Sequence, residues 1–118
     1  DDIRIHVAVA DVSHYVRIGT AIDREAAWRC FSTYLPDRAI PMLPEQLSSH
    51  MCSLRPDEER LAMVVTMKVT ASGEVREPQY MAAVIRSRKR LTYGDVAREL
   101  AGDHHLPEEI AERVRLLR

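Results

Sequence analysis

The amino-acid sequence predicts an α+β (mixed α/β) protein, with a mostly antiparallel sheet and flanking helices. Three segments have the alternation and β-branched residues of strands, and four have the caps and apolar spacing of helices. They follow one another in the order β-α-α-β-β-α-α, and the two adjacent strands in the middle predict a hairpin. A length of 118 residues suits a single domain.

The first strand is predicted over residues 4–10, where long and short side chains alternate. One face of it carries the apolar residues Ile3, Ile5, Val7 and Val9. Thr20 and Asp23 then have the spacing of a capping box. They predict a helix from residue 21 to about residue 34, ended by Pro36.

A short helix and a hairpin occupy the middle of the chain. Proline is tolerated at the first helical position, so Pro44 predicts a helix over residues 44–49. Residues 61–70 and 75–85 are strand-like, and Gly73 between them supplies the positive φ that a tight turn favours. Pro78 interrupts the second of these strands and predicts an edge or a bulge there.

Two helices are predicted at the end of the chain. Thr92 and Asp95 repeat the capping-box spacing, and the helix that they open stops at Gly102. Pro107 begins the last helix, whose apolar stripe consists of Ile110, Val114 and Leu117. This stripe reaches Arg118 without a cap, and we expect the chain to be a piece of a larger domain.

Charge and composition exclude several classes of protein. The chain has 17 basic and 18 acidic residues and a net charge of −1, so nucleic-acid binding would need a local cluster of cations. Residues 86–90 (Arg-Ser-Arg-Lys-Arg) are the clearest such cluster.

No apolar run is long enough for a membrane span, and no signal pattern begins the sequence, so a cytoplasmic protein is expected. Cys30 and Cys52 predict two reduced core thiols.

Few residues indicate a catalytic, metal-binding or RNA-binding role by themselves. Asp1 and Asp2 are adjacent carboxylates of the kind that Mg²⁺ prefers, although the residues alone favour a solvated turn before the strand. Asp11 ends the first strand, where it could act or simply form a turn. Tyr34 could stack on a nucleobase, or it could cap the helix as a core residue. His104 and His105 have no cysteine at ligand spacing and favour a solvated loop over a metal site.

Longer motifs resemble the RNB catalytic domain of the ribonuclease II and ribonuclease R exoribonucleases. The matching segments occur in the family's order over nearly the whole chain. They are residues 7–16 (VAVADVSHYV), 21–26 (AIDREA), 32–36 (STYLP), 40–48 (IPMLPEQLS), 52–54 (CSL), 60–65 (RLAMVV) and 90–93 (RLTY).

The resemblance implies processive 3′-to-5′ hydrolysis of single-stranded RNA to nucleoside 5′-monophosphates, with Mg²⁺ as the cofactor. It implies that Tyr34 is an RNA-binding residue, because it matches the family tyrosine that stacks near the RNA 3′ end. Asp1 and Asp2 are catalytic and metal-binding candidates only if they end the family's D-x-D-D cluster. Residues 1–118 are then the N-terminal part of the catalytic domain, whose remainder and OB-fold RNA-binding domains belong to the parent protein.

The sequence departs from the family pattern at several points. The family places a strand and a turn of roughly ten residues between its aspartate pair and the Val-Ala-Asp-Val strand, whereas here only residues 3–6 separate Asp2 from the matching segment. Asp1 and Asp2 can therefore belong instead to a hairpin turn. Small residues, asparagine or glycine are usual in the family where this chain has Cys30, Phe31, Ser49 and His50. We expect the isolated chain to be inactive, and the alternative function is a non-catalytic RNB-like RNA-binding or structural module.

Overall fold

The computed structural model describes residues 2–103 and 105–117, and it confirms the predicted α+β class. Its strands are β1 (Ile3–Ala10), β2 (Thr33–Tyr34), β3 (Ala39–Ile40), β4 (Glu59–Val69) and β5 (Val75–Arg86). Its helices are α1 (Val12–Tyr15), α2 (Ala21–Arg29), α3 (Tyr93–Leu100) and α4 (Glu108–Leu116), with a π-helical segment over Gln46–Met51. Strands β1, β4 and β5 form an antiparallel sheet in the order β1-β4-β5, and β2 pairs with β3.

The two faces of the large sheet differ in burial. Residues that lie opposite one another in an antiparallel pair share a face. On one face, Ala62 and Val64 of β4 are buried. The opposite face, which we call the open sheet face, carries exposed apolar side chains from all three strands: Val7, Val9, Met63, Tyr80 and Val84.

The β4–β5 hairpin follows the prediction closely. Its turn is closed by bonds from Thr70 N to Glu74 O (3.0 Å) and from Gly73 N to Thr70 O (2.9 Å). Gly73 has a φ of +81°, as the turn requires. The register shifts between Thr66 and Lys68, opposite the part of β5 that contains Pro78, so the predicted bulge is confirmed.

Helix α2 is shorter than predicted. It ends at Arg29, because Cys30 takes a φ of +65° and a ψ of −44°. The Phe31 amide then donates to Arg29 O at 2.8 Å, which closes a γ-turn around Cys30. The prediction of a helix to residue 34 is therefore wrong. The segment predicted as a helix over 44–49 is the π-helical segment, in which the amides of Leu47 and Ser48 both donate to Pro44 O.

Helices α3 and α4 form a hairpin held by a buried ion pair. The predicted capping box of α3 is confirmed: Asp95 N donates to Thr92 Oγ1 (3.1 Å), and Thr92 N donates to Asp95 Oδ2 (2.9 Å). Gly102, with a φ of +97°, ends the hairpin's first helix. Arg115 of α4 donates two hydrogen bonds, at 2.7 and 3.1 Å, to Glu99 Oε1 of α3, and Glu99 is only 2% exposed.

The hydrophobic core is small for a chain of this length. Its accessible surface is 9203 Å², whereas a compact protein of 13.5 kDa exposes roughly 6,500 Å². Cys30 is exposed and Cys52 is half-buried, so the prediction of two core thiols is wrong. Among the described residues, no helix is both long and apolar enough to cross a membrane.

Candidate functional site

Tyr34 lies on the surface, which makes its aromatic ring available to a ligand. It is the second residue of β2, pairs with Ala39 of β3, and is 81% exposed. The two strands are closed by a bond from Leu35 N to Arg38 O at 2.8 Å. This short hairpin fixes the backbone on both sides of the ring. The interpretation of Tyr34 as a core residue capping a helix is therefore wrong.

The end of α2 explains why Tyr34 is exposed. A helix continued to residue 34 would place Tyr34 on the same side as Ala27 and Phe31. The γ-turn at Cys30 breaks that periodicity and starts an extended segment instead. Phe31 and Trp28 beside this turn are also strongly exposed, at 68% and 80%. Sequence reasoning missed this exposed aromatic segment, because a helical spacing of apolar residues ordinarily predicts burial.

Asp2 lies at the beginning of β1, and Asp1 lies outside the described residues. Asp2 is exposed. The pKa of Arg76 is raised chiefly by the hydrogen bond that it donates to Glu74, and the negative charge of Asp2 adds to that rise. The pairing of β1 starts at Ile3, immediately after Asp2, so no strand or turn intervenes.

Asp11 lies at the opposite end of β1, about 30 Å from Asp2 at the usual rise of a strand. Its carboxylate caps α1: Oδ1 accepts hydrogen bonds from Ser13 Oγ (2.6 Å) and from His14 N (3.2 Å). The interpretation of Asp11 as a turn-forming residue is thus confirmed. Its charge also contributes, after burial, to the raised pKa of the Cys52 thiol.

A cavity of about 450 Å³ opens at this same end of the sheet. Within it, His50 of the π-helical segment is hydrogen-bonded through Nδ1 to Arg55 at 3.3 Å. Arg60 on the facing strand donates to Ser53 O at 3.1 Å and pairs with Glu58. The complete lining is Tyr15, His50, Met51, Glu59, Arg60, Leu61 and Val84. The cavity joins residues distant in sequence, so no local pattern could have predicted it.

The described residues contain no group of three acidic, histidine or cysteine side chains that could hold a metal ion. His104 lies outside them. His105 contacts protein groups, since Nδ1 lies 2.7 Å from Asp103 O and Nε2 lies 3.6 Å from Asp95 Oδ1. These contacts link the α3–α4 loop to the first turn of α3, and they give His105 a structural place without metal ligands around it.

Comparison with known families gives the chain its class. The model of the RNB domain matches residues 1–118. The chain therefore belongs to the RNB domain family. Its fold agrees, since it superimposes on the structure of Mycoplasma genitalium RNase R in complex with ribose-methylated single-stranded RNA with a TM-score of 0.82 and 38% identity. That match covers 87% of this chain and 16% of the other.

The curated relatives that match this chain are named ribonuclease R. The chain is 45% identical over 115 residues to ribonuclease R of Aquifex aeolicus and 47% identical over 114 residues to ribonuclease R of Escherichia coli. These alignments cover 98% and 97% of this chain. They cover 16% and 14% of the relatives, so the chain spans about one sixth of their length.

Proposed function

We propose that this chain is the N-terminal segment of the catalytic domain of a 3′-to-5′ exoribonuclease. The intact parent hydrolyses single-stranded RNA processively to nucleoside 5′-monophosphates, uses Mg²⁺, and works in the cytoplasm. One observation carries the proposal: ribonuclease R relatives align over nearly all of the chain at 45–47% identity. The exposed ring of Tyr34 is the part of this segment that we propose for RNA binding.

Tyr34 is the residue that we propose for RNA stacking. Its ring is 81% exposed on a hairpin that fixes its backbone. Stacking of a base on an aromatic side chain contributes about 1–3 kcal/mol. Tyr34→Ala should therefore weaken binding of a labelled single-stranded poly(A) oligonucleotide by about 5- to 150-fold in fluorescence anisotropy. Tyr80→Ala is a matched control, because Tyr80 is similarly exposed on the open sheet face.

The Mg²⁺ site is proposed for the parent, since the described residues do not form one. A two-metal site needs several carboxylates from different segments, and Asp2 is the one candidate ligand described. The start of β1 directly after Asp2 supports the alternative in which Asp1 and Asp2 belong to a turn. We therefore derive no catalytic step from them. They remain candidate ligands only if they end the D-x-D-D cluster.

The remainder of the RNB domain, together with OB-fold domains, is the partner that we propose for the open sheet face. Monomeric proteins rarely leave an apolar patch spanning three strands in water. The excess of accessible surface over that of a compact protein supports the same proposal. We accordingly expect no nuclease activity from the isolated 118 residues. Degradation of 5′-labelled poly(A) in Mg²⁺ by this chain, abolished by Asp2→Asn, would contradict that expectation.

A chimera tests the enzymatic proposal directly. Residues 1–118 replace the matching segment of Escherichia coli ribonuclease R, to which 114 residues align. The proposal predicts a folded chimera that shortens 5′-labelled poly(A) from its 3′ end. A chimera that melts cooperatively but leaves the RNA intact would instead support the second candidate, a non-catalytic RNB-like module. The observation that favours this second candidate is the positive φ of Cys30, which lies at one of the positions where the family usually has small residues, asparagine or glycine.

A further inference from the structure

The cation cluster at residues 86–90 is not used by the site described above. Four of its five residues are basic. Arg86 is neutralised by Glu59 on the neighbouring strand, at 3.1 Å. Arg88, Lys89 and Arg90, which we call the basic arch, are all exposed. No described residue forms an ion pair or a hydrogen bond with their side chains.

Eight other cations of the chain pair with carboxylates, whereas Arg17 and Arg38, which also form no ion pair among the described residues, are isolated in the sequence. Arg60, Arg98 and Arg115 each pair with a carboxylate of their own or a neighbouring element. The same is true of Arg29, Lys68, Arg76, Arg86 and Arg113. A general preference for arginine over lysine does not explain why unpaired cations should be consecutive. The basic arch therefore presents a local positive charge on a chain whose net charge is −1.

The arch is fixed at both of its ends. On one side, the Asp57 amide donates to Ser87 O at 2.8 Å, and Pro56 and Ser87 form an isolated bridge. On the other side, Leu91 is half-buried and Thr92 caps α3. Side chains on a fixed backbone lose less conformational entropy when they bind than those on a free loop. The backbone thus holds the three cations together as one surface.

We propose that the basic arch binds the phosphate backbone of the RNA. This deepens the proposed function and rests on it. Guanidinium groups bind phosphate oxygens through two parallel hydrogen bonds, and an ammonium adds a point charge. Such contacts carry no base specificity, and they make binding dependent on salt. The arch would therefore add affinity for any RNA sequence.

Salt dependence tests the proposal. Each phosphate contact to a single strand contributes about 0.7 to the slope of log affinity against log salt concentration. For the 118-residue chain binding labelled poly(A), Arg88→Gln/Lys89→Gln should lower that slope by about 1.4. The charge-conserving swap Arg88→Lys/Lys89→Arg should keep the slope of the unaltered chain. Unchanged melting by circular dichroism shows that the variants are folded, since these side chains are exposed.

A matched control removes the same charge elsewhere. Arg4 and Arg113 are exposed and line another cavity, at the far end of β1. An equal drop in slope for Arg4→Gln/Arg113→Gln would overturn the proposal, because the effect would then be one of net charge. An unchanged slope for the arch variant would also overturn it, and would leave an acidic protein surface as the arch's partner. If only the arch proposal fails, Tyr34→Ala still weakens RNA binding, as the proposed function predicts. A chain that binds no RNA at low salt refutes both the arch proposal and the proposed role of this segment in RNA binding.

Discussion

Loss of Arg115 should destabilise the α3–α4 hairpin far more than loss of a typical surface arginine. Arg115→Met keeps most of the side-chain length but removes the two hydrogen bonds to the buried carboxylate of Glu99 and the one to the exposed carboxylate of Glu108, at 3.0 Å. Removing one partner of a buried ion pair costs about 3–5 kcal/mol, because a charge is left uncompensated. Since Arg115 is itself 39% exposed, water screens the pair, and we expect the lower limit, about 3 kcal/mol.

This loss of free energy of unfolding corresponds to a decrease in the melting temperature, Tm. Unfolding entropies near 2.1 cal/mol/K per residue give about 0.25 kcal/mol/K for 118 residues. A loss of about 3 kcal/mol thus lowers Tm by about 12 °C. Thermal and urea unfolding followed by circular dichroism at 222 nm measures both quantities, and the urea midpoint should fall while the m-value stays constant.

The control lies two residues away on the same helix. Arg113 pairs with Glu109 at 3.7 Å, and both side chains are more than 70% exposed. Arg113→Met should therefore change stability by less than about 0.5 kcal/mol. The double variant Glu99→Leu/Arg115→Met should be more stable than Arg115→Met alone, because no buried charge remains. Equal, small effects of Arg115→Met and Arg113→Met would refute the reasoning that the pair is effectively buried.

Three further predictions concern the turns and caps. Thr92→Ala removes the N-cap of α3 and should cost about 1 kcal/mol in urea unfolding, whereas Thr70→Ala at the hairpin turn should cost less; no loss on removing the cap would contradict this. Hydrogen bonds from Thr92 lower the pKa of Asp95 from its ordinary 3.8 to about 2, so its contribution to stability is complete above pH 4 and is lost as pH falls towards 2. Asp95→Asn should reduce the change of the urea unfolding midpoint with pH across that window. If the midpoint of this variant varies with pH as that of the unaltered chain does, Asp95 is not the group responsible. Cys30→Gly should raise stability by about 1 kcal/mol, because glycine adopts the positive φ without strain, and a decrease would show that the γ-turn is unstrained.

Local signals predicted the three long strands and the two threonine caps of this chain well, but they did not predict β2 and β3. The β4–β5 hairpin was predictable because a glycine stands between two runs of β-branched residues. The start of α3 was predictable because Thr92 and Asp95 stand three residues apart, at the spacing at which each side chain accepts a hydrogen bond from the other's amide. Helix α2 was overextended because apolar residues continued its spacing, and nothing in the sequence announced that Cys30 would take a positive φ.

The candidate site was less accessible to prediction. Tyr34 owes its candidate role to resemblance, since its residue type and spacing fitted a core position equally well. The basic arch was visible as a run of cations, but its lack of acidic partners depends on contacts across the fold, such as that of Glu59 with Arg86. The cavity around His50 and Arg60 unites segments through tertiary packing, which no periodicity encodes.

The open sheet face has a calorimetric consequence. The heat capacity of unfolding follows the surface newly exposed to water, and a chain of this length ordinarily gives about 1.4–1.8 kcal/mol/K. The folded chain already exposes 9203 Å², so it gains about one fifth less surface on unfolding than a compact protein would. Its heat capacity increment should be smaller in the same proportion. The stability curve of this segment is therefore flatter than its size suggests, and its stability changes little between cold and ambient temperature.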